Sequence, residues 1–197
     1  METVVFGWDT LDRMVAAVER VRDRLRRAAA ALAGAGIPYA VVGGNAVAAW
    51  VSTVDPAAVR NTADVDILLR RADFPAARQA LESAGFAHAE VLGVDMFLDG
   101  PDGRPRDAVH VLYAGEKVKP EYAVATPDLA DAVDGPDGHR HVALAALVTM
   151  KLNSFRDKDR THLRDFIGVG LIDDTWPARF PPALAARLRT LLADPEG

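Results

Sequence analysis

The chain contains no cysteine. Disulfides, thiolate zinc sites and a cysteine nucleophile are excluded together, while the redox compartment stays open. Aromatic residues are few, at 7%, and Trp8, Trp50 and Trp176 are scattered, which suits packing better than base stacking. No apolar run approaches the roughly 18 residues that cross a bilayer. The N-terminus METVVFGWDTLDRM has no basic segment ahead of an apolar one, so the expectation is a cytoplasmic protein with no membrane span. Positive charge is in deficit too: 23 Lys and Arg stand against 28 Asp and Glu, a formal net charge of -5. Any nucleic-acid contact would therefore need a local basic patch. GGNAVAAW matches neither GxGxxG nor the P-loop pattern ending in GK[ST], which leaves no support for a Rossmann or Walker site.

What remains is one chain of 197 residues, half hydrophobic, enough for a single well-buried domain over 1–197. Leu11, Met14, Val15, Val18, Val21 and Leu25 recur at helical spacing, predicting a helix from about Thr10 to Ala33 within 1–35, ended by Gly34 and Gly36. IPYAVVGG reads as a buried strand and NAVAAWV as a short helix. STVDPAAVRNT, with Pro56, reads as a mobile connection, and DVDILLR as the next strand. A helix from Phe74 to Ala84 precedes a hairpin whose strands flank DGPDGRPR. The core sheet is thus expected within 37–115. EKVKPEYAVATPDLADAVDGPDGHRH reads as loop, and 142–197 as helical, with Val142 to Gly168 forming one long helix or two short ones. The class is α+β of α/β type, with helices covering one sheet.

The strand ADVDILL carries the chemistry. Side chains on a strand alternate faces at about 3.3 Å per residue, so Asp64 and Asp66 point the same way, roughly 6.6 Å apart at Cα. Two like charges side by side on an apolar strand are disfavoured unless a cation bridges them, and magnesium takes a few carboxylate oxygens and fills its remaining positions with water and phosphate. The plainer alternative is an edge strand with a solvated face. Gly43-Gly44 lies between a strand and a helix, where backbone amides are ready donors to phosphate oxygens; the alternative there is a tight turn.

Together these residues resemble the nucleotidyltransferase superfamily: an apolar strand, Gly43-Gly44, a short helix, then Asp64-Val65-Asp66, with Arg60-Asn61-Thr62 as a polar lead-in. MKLNSFRDKDRTHLRDF is similar to the lysine-bearing segment of the AbiEii-type toxin branch of minimal bacterial nucleotidyltransferases. The resemblance covers about Ile37 to Phe166. It implies a mixed sheet flanked by helices with a helical C-terminal part, a Mg (or Mn) ion and an NTP such as ATP as substrate. It also implies transfer of an NMP to an acceptor, which is left open among RNA, protein and small molecule. A third acid is implied on a later strand, but DAVHVLYAG offers His110 at the inward position, and Asp107 alternates to the other face. His110 suits a general base or softer ligand, or else a half-buried sheet histidine. The resemblance makes Asp64, Asp66, Lys151 and His110 the catalytic candidates, with the metal on Asp64 and Asp66. Gly43, Gly44, Asn45, Thr62, Lys158 and Asp165 are the nucleotide contacts.

If Val142 to Phe166 were one helix, Lys151, Lys158, His162 and Asp165 would share a sector of about 60° beside the apolar stripe of Leu147, Val148, Phe155 and Phe166. Lys151 would then reach a triphosphate, held by Asp165 or Asp159 in its absence, while Arg156, Arg160 and Arg164 would form surface pairs on the far side. His139 and His141 read as loop residues, and Ser52 and Ser154 have no nucleophile spacing. Because the third acid is replaced, a competing expectation is a nucleotide- or partner-binding module without catalysis, one half of a toxin–antitoxin pair.

Overall fold

Along strand β2 (Val65–Leu69) the buried Val65, Ile67 and Leu69 alternate with Asp66 and Leu68, and this strand is the middle of a mixed seven-stranded sheet. The computed structural model describes residues 8–195; residues 1–7, on which the reading of a leaderless start partly rests, and the Trp8 side chain lie outside them. With β1 (Ala40–Val42), β3 (Ala87–Val91), β4 (Val94–Leu98), β5 (Val109–Tyr113), β6 (Ala132–Asp134) and β7 (Arg140–Val142), the sheet order is β3-β4-β5-β2-β1-β7-β6. Only β2–β5 and β1–β7 are parallel. Six α-helices accompany the sheet among the described residues: α1 (Trp8–Gly34), α2 (Gly43–Ser52), α3 (Phe74–Ser83), α4 (Leu144–Ser154), α5 (Asp157–Gly168) and α6 (Pro182–Ala193). The class is α+β, and the hairpin expected around DGPDGRPR is the antiparallel pair β4–β5. No helix among the described residues is long and apolar enough to cross a membrane.

The expected loop after Glu116 is corrected: it contains β6 and β7, joined by a turn in which the Gly135 N–H donates to the His139 carbonyl. The sheet therefore outruns 37–115. Strands of three residues are too short to show a period of two, and β7 is recruited by β1 through the pair Val41 and His141, a long-range contact. The connection with Pro56 holds a 3₁₀ turn over Pro56–Ala58, capped by the Asp55 carboxylate.

The apolar stripe of α1 splits in two. Val21, Leu25, Ala28 and Leu32 are buried, whereas Leu11, Met14 and Val15 are about half exposed or more. Length explains it: 27 residues of helix run about 40 Å, while five-residue strands span about 17 Å, so only the C-terminal half meets the sheet. Where the helix first reaches the sheet, the buried Arg24 donates from Nη1 to the Ala63 carbonyl (3.2 Å) and from Nε to Asp99 (3.2 Å). This pins the backbone one residue before Asp64.

Candidate active site

Strand register assembles the site. Antiparallel pairing sets Val42 beside Asp66, and parallel pairing sets His110 on the other side of Asp66, so the three form one row across β1, β2 and β5. His110 Nδ1 lies 3.5 Å from Asp66 Oδ1 and 3.9 Å from Asp64 Oδ2. Ligand atoms of these three residues all fall within 4.8 Å of one another. Asp107 stays outside, in a 3₁₀ turn where Arg104 and Arg106 pair with it. His110 Nε2 is 2.9 Å from the Pro105 carbonyl; a carbonyl only accepts, so Nε2 carries the hydrogen and Nδ1 is the atom turned to the carboxylates. The bond to Asp66 raises the His110 pKa above its ordinary value despite burial. The donor set fits a divalent ion: the two carboxylates suit magnesium or manganese, with the His110 imidazole beside them.

Gly43 has φ +67, and a Cβ there would fall 1.9 Å from Asp66 Oδ2; one on Gly44 would lie 2.8 Å from Thr62 Cβ. Absent side chains thus let the start of α2 touch the acid strand. No side chain caps α2, so its first amides remain available to an anion. Asn45 donates from Nδ2 to the Asp64 carbonyl (2.8 Å), and the Thr62 hydroxyl donates to Asp64 Oδ1. Expected as nucleotide contacts, both are engaged with Asp64 and enter the site as its supports. Burial raises the Asp64 pKa, but the Thr62 bond and the Lys158 charge outweigh it, leaving it below the usual carboxylate value. Lys158 itself is exposed.

The stretch from Val142 to Gly168 is two helices. Phe155 ends α4 in the left-handed region (φ 49), so the 60° sector drawn for one continuous helix does not apply. Lys151, only 5% exposed, sits on α4 with Nζ 3.4 Å from Asp159 Oδ1, and Asp159 is completely buried at the start of α5. The other oxygen of Asp159 accepts from Ser154 Oγ (2.7 Å) and Arg156 Nε (2.8 Å). Arg156 is exposed, as expected of a surface pair, and its partner three residues on is this buried acid. Asp165, the alternative partner for Lys151, is taken instead by Arg60 Nε at 2.8 Å. Desolvation lowers the Lys151 pKa, although Asp159 and Asp66 oppose the shift. Arg160 pairs with Asp157 and Arg164 donates to the Asp194 carbonyl, both as surface contacts.

A family model described as "uncharacterised nucleotidyltransferase" matches residues 8–135, which takes in the glycine turn, both acids and His110. The chain belongs to this nucleotidyltransferase family. No curated protein matches it. Among solved structures, it resembles a solution structure of the antibiotic-resistance factor ANT(2'')-Ia at 13% identity, covering 92% of each chain with a TM-score of 0.52. It also resembles a crystal structure of ANT(2'')-Ia in complex with adenylyl-2''-tobramycin at 14% identity and a TM-score of 0.58, covering 87% of this chain and 98% of the other. At these identities the likeness concerns the fold.

Other residues of this nucleotidyltransferase stand apart from the acids. His141, expected in a loop, is buried on β7 with Nε2 2.7 Å from Asp137. Trp50 donates to the Val142 carbonyl (3.1 Å) and Trp176 is buried, so both pack; Ser52 donates to the Ala49 carbonyl. His162 on α5 has a buried Nδ1 without a partner, and desolvation, with Lys151 nearby, lowers its pKa to about 4. The unfolded chain takes up this proton near pH 6.5 and the folded one only near pH 4, so stability is lost as pH falls through that window. Discounted for partial exposure, the loss is about 2 kcal/mol. Urea midpoints followed from pH 7 to pH 4 should fall less steeply in His162→Gln than in the wild type; parallel curves would refute the assignment.

Proposed function

We propose that this enzyme transfers a nucleoside monophosphate from an NTP to an acceptor hydroxyl in a reaction that depends on Mg or Mn. The row of Val42, Asp66 and His110, with Gly43 against Asp66, carries the reading. The acceptor oxygen attacks the α-phosphorus, the bond to the bridging oxygen breaks, and pyrophosphate leaves. Bound by Asp64 and Asp66, a divalent cation would neutralise charge on the reacting phosphate. The first amides of α2 receive the β- and γ-phosphates, Lys151 offsets charge growing on the leaving pyrophosphate, and His110 Nδ1 accepts the proton of the acceptor hydroxyl. Thr62, Asn45 and Arg24 keep Asp64 aimed. Lys151 lies in the segment that resembles the AbiEii-type toxins, which supports placing the chain in that minimal branch.

The test is to supply NTP labelled in the α- or the γ-phosphate with Mg and a cell extract. Label should enter an acceptor from the α-position only, with stoichiometric pyrophosphate; γ-label transfer would mark a kinase and overturn the proposal. One observation favours a second reading: His110 stands where the family resemblance implies an acid, so a nucleotide-binding module that pairs with another protein would bind Mg-ATP in calorimetry and transfer nothing.

Lys151 supplies a separable prediction. Lys151→Met keeps the packing volume, while Asp159 retains Arg156 and Ser154, so folding should survive. The expected loss in kcat/KM is about a hundredfold, by analogy with removal of one preorganised charge-stabilising group. Steady-state kinetics alongside a melting curve decide it: a large drop in Tm would make Lys151 a structural group.

A further inference from the structure

A cavity of about 420 Å³ opens where α4 gives way to α5, walled by Lys119, Glu121, Tyr122, Asn153, Arg156 and Arg187 among others. Neither the acid pair nor the glycine turn lines it, and it is linked to Lys151 through a shared acid. Arg156 on its wall holds Asp159, and Asp159 holds Lys151, whose ammonium feels the charge of Asp66. Asn153 accepts from the Ala123 amide (2.9 Å) and donates to the Val124 carbonyl (2.8 Å), fixing the loop that carries Tyr122. The wall is thus held by a buried side chain.

Its charge is positive on balance. Three cations, Lys119, Arg156 and Arg187, stand against Glu121 on the wall and the buried Asp159 behind it, a surplus of one positive charge in a chain of net charge -5. Much of this donor capacity is unspent. Arg187 uses Nη1 on the Leu152 and Asn153 carbonyls, and Arg156 directs Nε and Nη2 to Asp159. Nη2 of Arg187, Nη1 of Arg156 and Nζ of Lys119 have no hydrogen-bond partner among the described residues. The NTP phosphates belong at the glycine turn and Lys151, which leaves this wall to the other substrate.

We infer that the acceptor carries phosphate groups and that this cavity seats them, an assignment that rests on the transferase reading above. Arginine forks and a lysine suit phosphate oxygens, and a polyamine such as tobramycin would bring ammonium groups against the same wall. The end of a short RNA and a phosphorylated small molecule share this chemistry.

Lys119 and Glu121 are exposed and their side chains have no polar partner among the described residues, so opposite charge reversals leave folding intact. Calorimetry of the full chain with Mg and a non-hydrolysable ATP analogue would use three probes: hexaadenylate RNA, ribose 5-phosphate and tobramycin. Lys119→Glu should weaken binding of the preferred phosphorylated probe about tenfold and Glu121→Lys should tighten it several-fold, while ATP-analogue affinity stays unchanged. Preference for hexaadenylate names an RNA end, and preference for ribose 5-phosphate names a small molecule. Tobramycin as the best ligand, no binding of either phosphorylated probe, or reversals that shift binding alike overturns the inference. If the expected order holds but no label is transferred, the cavity binds phosphate groups, but the transferase reading falls and with it the bound molecule's role as acceptor. If label passes to tobramycin, the cavity assignment falls and the transferase reading stands.

Discussion

Asp64→Asn and Asp66→Asn should each lower kcat/KM on the order of a thousandfold while leaving a folded protein. Asparagine keeps the size of the side chain and one carbonyl oxygen, but removes the negative charge that holds a cation. Like charges one residue apart repel, but Thr62 and Lys158 favour the ionised Asp64 and His110 pairs with Asp66, so the neutral variants should melt slightly below the wild type without metal. The separation appears when ligand is added. At about a hundredfold excess over Kd, Mg-NTP should raise the wild-type Tm by roughly 5–10 °C, and the double Asn variant should show no such rise. Turnover within tenfold of wild type in the double variant would remove both acids from the chemistry. Loss of turnover with an intact Mg-NTP shift would separate catalysis from binding.

Much of this site was legible because its parts are local. Asp64 and Asp66 show the period of a strand, Gly43-Gly44 marks a turn into a helix, and His110 follows from the alternation of its own strand. The acid pair, the glycine turn and His110 meet as the alternation requires, through pairings of Val42 and His110 with Asp66. What the sequence concealed depends on partners far along the chain. Arg60 is 105 residues from Asp165, and Arg24 is 75 from Asp99, so neither pair leaves a local pattern. The break at Phe155 was hidden for another reason: SFRDKD has no glycine or proline, and a residue with a Cβ adopts the left-handed region there at a cost of about 1 kcal/mol. That break turns Asp159 inward beneath Lys151, where a straight helix would have offered Asp165 as well. β6 and β7 were lost to brevity, since a three-residue strand has no period to read.

Gly43→Ala should be strongly damaging for a single added methyl. Two costs add at this position: a left-handed φ of +67, and a Cβ placed 1.9 Å from Asp66 Oδ2 and 2.8 Å from Asp66 Cβ. Rotating the carboxylate away relieves the first contact but not the second, so the turn must also shift, and the α2 amides leave the acids. Destabilisation of about 2–4 kcal/mol is expected, with loss of Mg-NTP binding and turnover together. Gly36→Ala isolates the backbone share, because Gly36 has φ +68 and nothing within 4 Å of a Cβ; it should cost about 1 kcal/mol and leave kinetics unchanged. Gly34→Ala, free of both strain and contact, should be neutral or stabilise by up to about 1 kcal/mol. Denaturant midpoints and Mg-ATP calorimetry on the three variants separate the effects. Wild-type affinity in Gly43→Ala would mean that the turn and Asp66 need not touch for the nucleotide to bind, and the β- and γ-phosphates would have to be held elsewhere. Selective loss there, with Gly36→Ala fully active, ties the glycine to its contact with the acid and not to the turn alone.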